Sequence, residues 1–327
     1  MSTPDPHAWL KRKVRPAAPE YVFWLVVLVL PYAAFPSYLA LANQIAIAAL
    51  FAISLDLILG YAGIISLGHA AFFGIGAYTA GILSRYGWGE PLSGIAAGGA
   101  VAGLVGYLVG FIIVRVRHLA LLMITLGFGF LMVELANANG WLTGGADGLQ
   151  GVDTWKLFGA FKFDLWGRTA YGYSFAVTFL LFLLCRRLVH SPFGLSLEGI
   201  RENPTRTVAV GAPNRTRLRH IFTYAAAIAG VAGALLAQTT ETVSLEVLGF
   251  QRSADVAVML ILGGTGRLYG AIVGAIIFLF ARDQLAGMNP QYWYFWIGLL
   301  LMVVVLFMPT GIVGGLSRLM PKRVKRT

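Results

Sequence analysis

Charge is scarce in this chain. Only 12% of its 327 residues are Asp, Glu, Lys or Arg, and just 14 of them are acidic. A soluble domain carries about 25% charged residues, so these few cannot cover a water-facing surface. Cysteine is almost missing: Cys185 stands alone. An intrachain disulfide is excluded, and a thiolate metal cluster lacks its ligands. No G-x-x-x-x-G-K-[ST] spacing occurs, and the glycine-rich loops lack the lysine of a phosphate cradle. The chain is therefore expected to bind no ATP and no other cofactor. There is no H-E-x-x-H and no nucleophile–base pair, so neither catalytic residues nor a metal site is expected. No ring of pore charges or filter sequence points to a channel.

What fills the chain is apolar. Hydrophobic residues make up 58% of it, in blocks near the length of a membrane span. The 40 glycines suit a lipid solvent, where small residues let helices approach closely. Ten segments can be drawn: 21–42, 43–59, 69–84, 92–114, 119–137, 170–187, 220–240, 253–263, 268–281 and 291–309. The expected fold is an all-α polytopic transmembrane bundle of about ten spans. Segments 43–59 and 253–263 are short for a crossing, so eight spans plus two re-entrant pieces fit nearly as well. The first apolar block shows no small-residue cleavage pattern and reads as a retained span, not a signal peptide.

The net charge of +11 does not indicate nucleic acid, because the basic residues cluster between apolar blocks and at both ends. With the N-terminus in the cytoplasm, the inner regions hold 19 of the 25 basic residues. These regions are the tail with Lys11, Arg12, Lys13 and Arg15, the Arg115–Arg117 turn, the stretch from Arg186 to Arg219, Arg267 and the C-terminal tail. That bias places both termini inside and makes the span number even. Tyr292, Trp293, Tyr294, Trp296, Trp141 and Trp166 suit the outer interface. The chain then divides into a basic cytoplasmic tail (1–20), a membrane domain (21–316) with an outer loop (138–169) and an inner loop (188–219), and a second basic tail (317–327).

Four stretches stand out. GYAGIISLGHAAFFGIGAYTAG, Gly60 to Gly81, makes a poor continuous helix, since each glycine costs about 1 kcal/mol against alanine. It reads as a broken helix lining a transport path through Gly60, Gly63, Ser66 and His69, or as a tight turn before a close-packed span. LILGGTGRLYGAIVGAIIF, Leu260 to Phe278, spaces Gly266, Gly270 and Gly274 four apart, a helix-packing face. Gly263, Gly264 and Gly266 interrupt the helix before it. In the inner loop, Leu195–Glu202 can form a short helix. Asn203 then caps a second one, with Pro204 at its first position and Gly211 at its end. That loop suits a docking element for a cytosolic partner, or a basic surface on anionic headgroups. LTGGADGLQG, Leu142 to Gly151, is a turn with four glycines that could help close the outer end.

Asp56, His69, Glu134 and Asp255 are ionisable at membrane depth, where such residues are rare and are pathway candidates by default. Each also suits a satisfied interhelical hydrogen bond. Gly264 joins the pathway candidates as part of the interrupted segment.

The four stretches occur, in the order they take along this chain, in LivM-type branched-chain amino acid ABC transporter permeases, and the chain resembles that family from about residue 40 to 316. The closing NPQYWYFWIGLLLMVVVLFMPTGIVG is similar to it too. The resemblance implies a permease subunit of a binding-protein-dependent importer in the bacterial inner membrane, working by alternating access. Its implied partners are a second related permease, two cytoplasmic ATPases that use the ATP, a periplasmic substrate-binding protein and membrane lipid. It also implies that the inner loop couples to the ATPases through Glu198, Gly199, Arg201, Glu202 and Gly211. Pro204 and Thr205 depart from that pattern, standing where many members carry acidic residues. Urea, short amides and aromatic acids suit the apolar path as well as branched aliphatic amino acids do. The rival reading is a proton-coupled secondary transporter relaying protons through Glu134, Asp56 or His69.

Overall fold

Proline and glycine set the helix boundaries. The structure, a computed structural model, describes residues 18–319 apart from 35, 117–118, 158–160, 162–166, 289 and 309. Both basic tails, Arg117, Lys162 and Trp166 fall wholly or mostly outside the described residues. Helix α1 (Ala18–Ala34) ends before Pro36, which opens a short 3-10 turn leading into α2 (Leu39–Asp56). Proline suits a first helical turn because the amide it lacks would have no partner there. The first two apolar segments therefore divide near residue 35, not 42. From Pro36 to Tyr61 the second is a 26-residue rod, long enough to cross, contrary to the doubt attached to segment 43–59.

Then follow α3 (Ala70–Arg85), α4 (Pro91–Ile113), α5 (Leu119–Ala138) and the single turn α6 (Gly140–Thr143). Beyond the next loop come α7 (Arg168–Val189), α8 (Pro192–Glu202), α9 (Pro204–Ala209) and α10 (Asn214–Thr240). The chain closes with α11 (Phe250–Gly263), α12 (Leu268–Met288), α13 (Trp293–Phe307) and α14 (Gly311–Leu319). Among the described residues six helices are long and apolar enough to cross a membrane: 36–61, 91–113, 119–138, 168–189, 214–240 and 268–288. Helix α3, with 16 residues, spans only ~24 Å, and α11, with 14, only ~21 Å, both short of a ~30 Å hydrocarbon core.

Helix α10 is the centre, buried between α3 and α4. Its small residues Ala226, Ala229, Gly230, Gly233 and Ala234 face both neighbours. Gly233 permits the closest approach: a Cβ there would fall on the carbonyl of Phe73. Such a seam suits lipid, where packing and not water exclusion joins helices. Gly233→Val should push α10 off α3 and destabilise the protein by about 1–3 kcal/mol. The measurement is thermal midpoint in detergent; Gly287→Ala, in open space, should leave that midpoint unchanged. The four-residue spacing of Gly266, Gly270 and Gly274 divides in two. Gly270 and Gly274 lie against Gly263 and Met259 of α11, while Gly266 sits in the turn before α12.

At one end of the bundle the connection between α6 and α7 folds back over the helices. Leu149 and Val243 exchange backbone hydrogen bonds of 2.7 and 3.0 Å. Leu149 is fully buried against Gly81, and Ser84 donates to the Asp153 carbonyl at 2.7 Å. Gly144, Gly145, Gly148 and Gly151 all take positive φ, so LTGGADGLQG is a folded cap whose leucine plugs this end. Near the other end Arg186 of α7 grips Glu20 of α1 with two hydrogen bonds, 2.5 and 3.3 Å.

Candidate functional site

Helix α2 does not stop cleanly. Its last turn, Leu57–Tyr61, widens into a π-turn, and residues 62–69 then run without regular helix until α3 begins at Ala70. π-Turns cluster at functional sites because they leave backbone groups for other partners. Here those partners come from four other elements.

The first is the loop helix α8. Arg201 Nη1 donates to the Gly60 carbonyl, and the arginine's aliphatic stem lies beside Gly63. Gly63 has φ +71°, a left-handed conformation that costs other residues strain. The second is the turn between α11 and α12. The Gly266 amide donates to Asp56 Oδ1 at 2.7 Å, so the fully buried Asp56 ties the end of α2 to that turn. Asp56 Oδ2 is buried with no hydrogen-bond partner among the described residues. Gly60 sits where these links cross: a Cβ there would strike both Asp56 Oδ1 and the Gly266 backbone.

The third partner is α5. Thr125 Oγ1 accepts from the Leu67 amide at 3.2 Å, and Gly68 lies so close that a Cβ would meet the Thr125 carbonyl. The fourth is α11, whose Ser253 Oγ accepts from the Ala70 amide at 2.9 Å. That bond supplies the helix N-terminus with an acceptor from outside its own helix. The break is thus a pinned, irregular segment with Ser66, Gly68 and His69 buried among helices and Gly63 and Ile65 exposed; irregular backbone at membrane depth is tolerated where protein buries it or where it lines a water-filled cavity.

His69, almost fully buried, closes the segment. Its ring stacks on Phe51, with centroids 5.5 Å apart and planes within 4°. Ser54 Oγ lies 2.9 Å from His69 Nε2 and donates its proton to the Phe51 carbonyl at 2.6 Å. A hydroxyl has one proton to give, so His69 Nε2–H must donate to Ser54. Nδ1 then carries the lone pair, and it has no hydrogen-bond partner among the described residues. Ser54→Ala would strand the Nε2–H at a cost of about 1–3 kcal/mol. The thermal midpoint should fall, and Ser54→Thr, which restores the oxygen, should recover most of it.

The structure brings Gly60, Gly63, Arg201, Gly264 and Gly266 to one end of the bundle, with Ser66 and His69 further along the same segment. Gly264 has φ +110° and packs against Thr310 and Gly311. Ser66 is buried without a hydrogen-bond partner among the described residues. Glu134 stands apart, on the exposed face of α5. Asp255 is apart too, half-buried and accepting from Gln251 at 3.0 Å. Ser54, Thr125 and Ser253 were not among the sequence candidates. Their signal is a lone hydroxyl within an apolar run.

Helices α8 and α9 form the surface below this junction. Ser191 and Asn203 cap them by accepting from the amides of Gly194 and Arg206 at 3.4 and 2.9 Å, with Pro192 and Pro204 at first-turn positions. Gly211, φ +85°, follows the end of α9. Glu198 and Gly199 are half-buried, Glu202 is exposed, and Val210 is 84% exposed at the tip. Between these helices, residues 62–65 and the start of α5 runs a groove of about 1010 Å³ lined by Ile65, Val116, Leu122, Ile200, Arg201 and Val208.

A family model described as branched-chain amino acid transport system / permease component matches residues 37–305. The high-affinity branched-chain amino acid transport system permease protein LivM of Escherichia coli K12 is 31% identical over 288 residues, covering 80% of this chain and 66% of that protein. LivM of Salmonella typhimurium is 30% identical over 300 residues, covering 84% and 69%. The permease protein LivH of Escherichia coli K12 is 25% identical over 280 residues, covering 81% and 91%. The chain thus spans about two thirds of the length of the LivM relatives. No solved structure matches it.

Proposed function

The chain belongs to the family of branched-chain amino acid transport system permease components, and from that premise we propose that it is the membrane permease subunit of a binding-protein-dependent ABC importer. Its cargo is a branched-chain amino acid or a related small solute. It works beside a second related permease, above two cytoplasmic ATPases that hydrolyse the ATP, and receives substrate from a periplasmic binding protein. It lies in the bacterial inner membrane with both termini cytoplasmic. The distribution of basic residues supports that orientation, and ten crossings follow if the short helices α1, α3, α11 and α13 each count as one.

The observation that carries this reading is the bond from Arg201, on a short loop helix, to the Gly60 carbonyl in the broken end of α2. A partner that displaces α8 moves the break directly, and Asp56 passes the displacement to the α11–α12 turn. Alternating access needs such a link, because a nucleotide shifts the transport equilibrium only through its different affinity for the two states. The exposed Val208 and Val210 beside Glu202 and Arg206 favour a protein surface, not headgroups alone, as the contact of α9.

The test is uptake of radiolabelled leucine into proteoliposomes holding the chain with its neighbouring permease and ATPases, binding protein outside and ATP inside. Uptake that needs both ATP and binding protein is expected, and competition by urea, amides and aromatic acids then sets the substrate range. Uptake driven by a proton gradient alone overturns the importer.

A further inference from the structure

We infer that the chain carries its own weak site for an amino acid, a cavity between α2, α3, α11 and α12 in which Arg252 and Arg282 receive the carboxylate. The inference rests on the importer reading and adds where in this subunit the substrate is held. The cavity measures about 140 Å³, close to the ~150 Å³ of an engineered cavity that accepts benzene. Its polar lining is Gln44 of α2, Arg252 and Asp255 of α11 and Arg282 of α12. Its apolar lining includes Ile47, Phe51, Val256 and Met259.

Three features point to a zwitterion with a small aliphatic side chain. First, the lining carries two guanidinium groups and one carboxylate, Asp255; Glu246 lies near Arg252 outside the lining, so the cavity offers an arriving carboxylate more charged donors than acceptors. Second, neither arginine forms an ion pair among the described residues. Each leans instead on an aromatic ring, Arg252 5.4 Å from the Phe73 centroid and Arg282 5.9 Å from that of Trp293. Such contacts are weaker than a charge-assisted hydrogen bond, so both groups gain by turning to an anion. Third, Asp255 and Gln44 offer acceptors for an ammonium, and the remaining walls are aliphatic or aromatic. An anionic lipid headgroup shares the oxyanion chemistry. The small volume, walled by several helices, favours the free amino acid.

The cavity also touches the pinned segment. Phe51 lines it on one side and stacks on His69 on the other, so a ligand pressing on Phe51 meets the break that Arg201 controls.

The test is equilibrium binding of radiolabelled L-leucine to the whole transporter in nanodiscs, without binding protein or ATP. Saturable binding is expected, competed by 4-methylpentanoate, which keeps the carboxylate, and not by isoamylamine, which lacks it. Arg252→Gln and Arg282→Gln should each weaken binding at least tenfold, and Val256→Trp, which fills the cavity and leaves the charges, should abolish it. Arg252→Lys should retain binding within a few fold. If a variant does not elute as wild type does, the competitor pair on the wild-type protein decides. No leucine binding, indifference to the carboxylate, or wild-type affinity in folded cavity variants overturns the site. Retention of phosphatidylglycerol that depends on both arginines, without leucine binding, assigns the cavity to lipid and also overturns it. In each of these cases ATP-driven, binding-protein-dependent uptake would still stand as the separate mark of the importer.

Discussion

Gly60→Ala should cut uptake at least tenfold in the assembled transporter. The added Cβ has nowhere to go, because it would strike Asp56 Oδ1 on one side and the Gly266 backbone on the other. These two atoms' residues hold each other through a 2.7 Å hydrogen bond, and relief requires one to withdraw. A hydrogen bond contributes about 0.5–1.5 kcal/mol, and overpacking adds about 1–3 kcal/mol. Since 1.4 kcal/mol is about a factor of ten in an equilibrium, even the lower figures unbalance a two-state transporter. Initial uptake rates at matched permease content are the measurement. Gly127→Ala, on α5 with open space around it, is the control expected to match wild type. Uptake within twofold of wild type for Gly60→Ala would show that the junction does not govern transport.

Arg201→Ala should separate hydrolysis from transport. The arginine touches the break, not substrate, so its role is to position the π-turn. Losing its bond to the Gly60 carbonyl should leave the complex assembled and ATP hydrolysis near wild type. Leucine imported per ATP should fall about tenfold, the low end of what a charged hydrogen bond supports. Arg201→Lys should recover only part of the ratio, since a flexible ammonium cannot reproduce the planar guanidinium's geometry. A parallel loss of hydrolysis and uptake would instead make Arg201 part of the ATPase contact.

Local chemistry was readable in the sequence and distant contact was not. Asn203 before Pro204 announces a capped helix because capping and ring geometry act within four residues, and α9 starts there. The glycines from Gly60 to Gly68 announce an interrupted helix for the same reason, and residues 62–69 are irregular. The pairing of Gly60 with Gly266 and Arg201 spans 206 and 141 positions, and nothing in a periodic pattern names the partner. Gly266 shows the limit: its spacing from Gly270 and Gly274 fits one helix face, yet its φ of +73° puts it in the preceding turn. Glu134 shows another. Depth in an apolar segment is readable from sequence, whereas the direction a side chain faces depends on which neighbours cover the helix. Arg252 and Arg282 stand at the edges of apolar segments, where a basic residue looks in sequence like an ordinary interfacial anchor.

The lone Cys185 is buried in α7, 1% exposed. The native chain is therefore a silent background for thiol labelling by a membrane-impermeant maleimide. A cysteine placed at Val210 and another at Gly87, at opposite ends of the bundle, would each report from one compartment only. Labelled from outside intact cells, Gly87→Cys should react and Val210→Cys should not until the membrane is permeabilised. The reverse pattern would invert the protein in the bilayer.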